Sequence, residues 1–136
     1  MNGGGERLQV TEAFSSFAVD DLAAARDFYG ATLGLDVSSA LPDGAGPLWV
    51  RVGDEPGVLV YPKPDHIPAS FTVLNLSVPD IAEAVDELQT RGITFQRYPQ
   101  YEQDARGIFH GEGHSIAWFS DPAGNDLCVV QMHETN

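Results

Sequence analysis

Four histidines, one cysteine and a scatter of acids are the side chains of this 136-residue chain best suited to moving protons, holding a metal ion or attacking carbon. They concentrate in residues 99–115, PQYEQDARGIFHGEGHS, which carry Glu102, Asp104, His110, Glu112 and His114. Two imidazoles four positions apart would share one face of a helix and could grip one ion. Gly107, Gly111 and Gly113 argue against a helix here, so the logic of a helical His-Glu-x-x-His motif does not transfer. Ordinary loop polarity is the plainer account. The functional account of the same residues is a flap over a cavity, with His114 and Glu112 as weak candidates for acid–base catalysis. His66, in a proline-rich stretch, is a weaker one still. A single cysteine, Cys128, allows neither an internal disulfide nor a multi-cysteine metal site. As a nucleophile it lacks an identifiable base, and buried structural thiols are inert.

These groups need a scaffold. The length fits one domain, able to bury most of its apolar surface. Twenty acidic residues against seven basic ones give a formal charge of −13. Such a chain repels nucleic acid and anionic membranes and attracts cations. No apolar run reaches membrane-spanning length. The start, MNGGGERLQ, lacks a basic segment followed by an apolar one, so a cytoplasmic location is expected.

Taken in order, residues 1–12 read as a flexible tail. Phe14–Val19 alternates as a strand. Asp20 or Asp21 can cap a helix whose apolar residues Leu22, Ala25, Phe28, Tyr29 and Leu33 recur at helical spacing, with Gly34 to end it. A strand follows from Leu35, and then Leu48–Val52 and Val58–Tyr61 form a hairpin. Residues 63–70, with two prolines, form a linker. From Phe71 the pattern restarts: Val19-x-Asp21-Leu22-x-x-Ala25 matches Val78-x-Asp80-Ile81-x-x-Ala84, and Gly34 matches Gly92. Asp80 and Glu83 suit a capping box, and Ile81, Val85 and Leu88 an apolar stripe. A second hairpin spans 116–131. Each half is thus strand–helix–strand–strand–strand, residues 13–62 and 71–133 of a domain running 13–136. One such unit cannot bury its sheet alone. The expected fold is α+β: two βαβββ modules in tandem, their mixed sheets curved around a central cavity with the helices outside.

The second hairpin reads IAWFSDPAGNDLCVVQ, strand–turn–strand, with Pro122 presetting the turn and Gly124 or Asn125 free to take positive φ. Aromatic-x-Asp-Pro-x-Gly-Asn before an apolar strand resembles the last hairpin of the vicinal oxygen chelate superfamily, which includes glyoxalase I, bleomycin-resistance proteins and extradiol dioxygenases. The resemblance covers nearly the whole chain from about residue 13 and implies the same paired-module fold. In metal-using members each module places a His or Gln at the start of its first strand and a Glu in its last. The matching positions here are Phe14, Val60, Val73 and Cys128. Phe and Val cannot ligate, so no metal and no cofactor are expected.

With Phe14 and Val73 facing inward, the expected ligand pocket holds Phe14, Ser16, Val73, Asn75, Ser77 and Cys128. Trp49, Tyr61 and Trp118 join it from neighbouring strands. The resemblance implies a protein that sequesters a small aromatic or cationic molecule in the inter-module cavity, as a homodimer. The alternative is a lyase, isomerase or dioxygenase-type enzyme with a relocated metal site or metal-free acid–base catalysis. A non-catalytic regulator is a third possibility.

Overall fold

A computed structural model of the chain describes residues 7–133; the first six residues of the expected tail lie outside them. The first half contains β1 (Ser15–Val19), α1 (Leu22–Arg26), β2 (Asp36–Ser39), β3 (Leu48–Arg51) and β4 (Val58–Pro62). The second contains β5 (Thr72–Ser77), α2 (Ile81–Thr90), β6 (Phe109–His110), β7 (His114–Ser120) and β8 (Asp126–Met132). The sheets run β1-β4-β3-β2 and β5-β8-β7-β6. In each, the first strand of the half lies parallel to the last and the remaining pairs are antiparallel. The protein is therefore α+β, built from two tandem βαβββ modules whose sheets do not close into a barrel. β1 and β5 each end a sheet, with one backbone edge unpaired. Among the described residues no helix is long and apolar enough to cross a membrane.

Period-two alternation builds the core. Phe17 and Val19, Leu48 and Val50, Ala117 and Phe119, and Leu127 and Val129 are all buried. They join Tyr29 of the first half and Ile81, Val85 and Leu88 of α2 in one cluster spanning both modules. The capping acids act as expected, Asp21 Oδ1 accepting from the Ala24 amide and Asp80 Oδ1 from the Glu83 amide, each at 3.1 Å.

Two elements differ from the sequence pattern. The first helix widens into a π-helical stretch, Asp27–Thr32, in which the Leu33 amide reaches back five residues to the Phe28 carbonyl at 2.9 Å. The wider turn lets the adjacent rings of Phe28 and Tyr29 both reach the core, where Phe28 lies 6.4 Å from Phe119 across the module boundary. In the second half, the residues aligned with β2 form no strand. Gln96 donates its amide to the Trp118 carbonyl at 2.8 Å, and the chain then leaves the sheet and returns as the two-residue β6. Asp104 organises that excursion: its Oδ1 accepts from the Arg106 and Ile108 amides, each at 2.9 Å, and its Oδ2 meets His110 Nε2 at 2.9 Å.

Candidate functional site

The Asp-Pro-Ala-Gly-Asn turn, the most recognisable local motif, holds the modules together. Asp121 and Asn125 are both buried. Asp121 Oδ1 accepts from the Ala123 and Asn125 amides (2.9 and 2.8 Å), and its Oδ2 from the Tyr29 hydroxyl and Asn125 Nδ2 (2.7 and 2.9 Å). Asn125 Nδ2 also donates to the Ala18 carbonyl on β1 at 2.8 Å, and its Oδ1 meets His66 Nε2 at 3.1 Å. Burial, and next the charge of Asp121, hold the Tyr29 hydroxyl protonated far above the usual tyrosine range. Gly124 has φ +85°, and a β-carbon there would come within 2.9 Å of the Pro68 ring, so the linker packs directly against it. With its polar groups spent on one another, the turn is a clasp.

Cavities flank the seam between the unpaired edges. The larger, about 650 Å³, lies among the chain entering β1, the Glu55–Gly57 turn, the end of the first helix, β5 and α2. Five consecutive residues, Leu74–Val78, line it, so the edge of β5 itself faces the space. The walls are mainly aliphatic: Leu33, Leu35, Val50, Leu76 and Leu88. Asn75 and Ser77 add polar groups, and Glu55 and Glu87 are the ionisable residues in the lining. Glu87 is shared with Arg91 at 2.9 Å, while Glu55 enters none of the ion pairs found among the described residues. A second cavity, about 580 Å³, lies between β1 and the linker.

The nine expected pocket residues fall in separate places. Phe14, Asn75 and Ser77 line the larger cavity, and Ser16, Tyr61 and Val73 the second. Trp49 packs edge-on against Phe14 with ring centres 4.9 Å apart. Trp118 and Cys128 are cross-strand partners on the second sheet, beside Asn75. Trp118 anchors an aromatic wall that the sequence did not reveal: Tyr101 stacks on it at 5.1 Å, Tyr98 meets it edge-on at 5.3 Å, and Phe109 lies 5.0 Å from Tyr101. Tyr98, Tyr101 and Phe109 come from the excursion, which has no strand or helix periodicity to signal their convergence.

The places where metal-using relatives carry ligands do not form a donor set for a divalent ion. Phe14 and Val73 carry no lone pairs. Val60 needs correction: it is fully buried in the core, and its neighbours Leu59 and Tyr61 occupy the other face of β4. The one-residue error came from counting alternation across an alignment gap, which exchanges the two faces of a strand. Cys128 donates to Asn75 Oδ1 at 3.0 Å, and burial, then the charge of Asp126, push its thiol up to about 11. Among the described residues no group of three or more His, Cys, Asp or Glu side chains is placed to hold a metal.

Of the acid–base candidates, His114 heads β7 with Nδ1 3.1 Å from the backbone carbonyl of Glu112, whose carboxylate is exposed. His110 belongs to a relay in which Asp104, His110, Ser115 and His133 follow one another at 2.9, 3.2 and 2.8 Å. Ser115 is buried, so the relay fastens the excursion to the end of β8 and offers no reachable nucleophile.

No curated protein matches the chain. Solved structures do. An antibiotic binding protein, TnmS3, from a Streptomyces species is 24% identical over 93% of this chain and 100% of its own, with a TM-score of 0.65. A member of the glyoxalase/bleomycin resistance protein/dioxygenase superfamily from Sphaerobacter thermophilus is 28% identical over 88% and 97%, TM-score 0.60. A lactoylglutathione lyase from Agrobacterium tumefaciens is 24% identical over 90% and 94%, TM-score 0.55. Residues 9–129 match a family model, and with the paired modules and the clasped final hairpin in place, this chain belongs to the Glyoxalase/Bleomycin resistance protein/Dioxygenase superfamily.

Proposed function

We propose that this protein sequesters a small aromatic or cationic organic molecule in the larger seam cavity, with binding rather than turnover as its main task. One observation carries the reading: an aliphatic space of about 650 Å³ in which Ser15, Asn75 and Ser77 supply the uncharged polar side chains and Glu55 and Glu87 the ionisable ones. Apolar walls hold an organic framework, and the carboxylate of Glu55, which enters none of the ion pairs found among the described residues, favours positive charge. Similarity to an antibiotic binding protein agrees with binding as the task. The absence of a metal donor set at the inherited places is a second support.

The protein is proposed to work in the cytoplasm as a homodimer. The exposed Tyr101 and Met132, which line neither seam cavity, are surfaces a second copy would cover. The competing reading, a lyase or isomerase, draws on the Agrobacterium neighbour and on His114 with Glu112.

Thermal-shift titration with tetrabutylammonium against neutral compounds of similar size tests the proposal. The cation should stabilise the wild-type protein. Ser77→Trp should abolish that effect while leaving the unliganded melting temperature nearly unchanged, because Ser77 is exposed and the new ring enters open space. Turnover of small dicarbonyl compounds with no stabilisation by any cation would establish the enzyme reading instead.

A further inference from the structure

The second cavity has a different chemistry, and the clasp determines it. Asn125 donates through Nδ2 to both Ala18 O and Asp121 Oδ2, so its Oδ1 is the acceptor facing His66. His66 Nε2 must therefore carry the hydrogen, which leaves Nδ1 of the neutral ring with an unshared lone pair. Half-buried His66 lines the cavity. Beside it stands Lys63, the chain's only lysine, paired to Asp65 at 2.7 Å. That pair is neutral overall yet offers both donors and acceptors. The hydroxyls of Ser16 and Thr72 can do either. At the rim, Phe71 is 67% exposed.

We propose that this cavity is a second binding site, for a small neutral polyhydroxylated molecule of the carbohydrate type. Its hydroxyls donate to His66 Nδ1 and Asp65 and accept from Lys63, and its C–H face lies on Phe71. Other ligand classes fit worse. An anion meets a chain of charge −13 and an ammonium already paired. An apolar molecule would strip water from these polar groups without replacing its hydrogen bonds. A cation finds Asp65 as its one carboxylate, already neutralised by Lys63.

The test is a titration of 15N-labelled full-length protein, followed by NMR, with glucose, galactose and myo-inositol as neutral probes and with gluconate and choline as charged controls. The expected result is saturable shifts at Phe71, Thr72 and His66 with at least one neutral probe and none with the controls. Phe71→Ala should weaken that binding about fivefold, the value of one aromatic contact, without changing the melting temperature. It should leave tetrabutylammonium binding at the larger cavity unaltered, which separates the fate of the two sites. No saturable shift with any neutral probe, shifts with gluconate or choline alone, or binding indifferent to Phe71→Ala would each overturn the proposal.

Discussion

Cys128, matched by resemblance to the strand position of a glutamate ligand, has surroundings that make it an ordinary core side chain. With the thiol at about 11 and 1% exposed, almost none of it is thiolate at neutral pH. Alkylation of the folded protein by iodoacetamide should be much slower at pH 7.5 than for the unfolded chain; equal rates would show that the thiol is open. Its neighbour Asp126 is the less comfortable residue, because Oδ1 is buried without a hydrogen-bond partner. Burial raises its carboxyl above the usual 3.8, tempered by the Tyr98 hydroxyl. The folded state therefore holds this proton more tightly than the unfolded state does, and the stability it confers below pH 3.8 is lost as pH rises through the folded value. Asp126→Asn should accordingly raise the melting temperature at pH 7, with the gain shrinking towards zero near pH 3. A gain independent of pH would mean that charge burial is not the cause. The inertness of the thiol was legible, because no base partner could be named for it; the strain at Asp126 was not, because only its pairing with Ser120 and Thr72 sets the carboxylate down among neighbours.

At the scale of elements, the clasp is the feature whose removal should be felt most. Asn125→Ala deletes bonds to Ala18 and Asp121 and the contact with His66, leaving the buried Asp121 Oδ2 with Tyr29 alone. A cost of about 2–4 kcal/mol is expected from donors and acceptors left unpaired in the interior, measured by urea unfolding. Less than about 0.5 kcal/mol would show that the network is dispensable, the range of an ordinary surface change. Asp104→Ala removes the acceptor of two amides and the partner of His110, and should free the excursion while sparing the sheets. Faster amide exchange confined to residues 97–110 is the expected signature. The strands and both helices were readable because alternation and capping are local signals, and the repeat placed the modules in order. The excursion was not: Pro99 and the glycines interrupt any period, and its shape comes from one aspartate and from Gln103, whose amide ties Gln96 to Gly107. The motif at 121–125 was correctly read as a turn, but nothing local tells a solvated Asp and Asn from a buried pair. The expected pocket came apart for a related reason. Parity assigns a residue to a face of a strand, whereas the seam cavities open along strand edges, where both parities meet the same space.

For the whole molecule, charge and assembly yield two further measurements. A net −13 surface should speed the approach of a cationic ligand and hold it more tightly at low ionic strength. Affinity for tetrabutylammonium should fall as sodium chloride rises from about 20 to 300 mM, while a neutral ligand of the same size stays level. A salt-independent affinity would assign recognition to apolar contact alone. Light scattering should return twice the 14.7 kDa chain mass if Tyr101 and Met132 are covered by a second copy, and the chain mass itself if they are not.

The clasp also bears on how the protein is made. The Asn125 side chain closes on a carbonyl 107 positions earlier in the chain. During synthesis β1, α1 and their sheet can pair among themselves, yet the contact that fixes β1 against the second half must wait until Asn125 has left the ribosome. Until then the edge of β1 stays open to wrong partners. Long-range closures of this kind slow folding, because much of the chain must be ordered before the contact rewards it. Vectorial emergence would leave the first module half-finished, and arrival of the second hairpin would complete both modules at once.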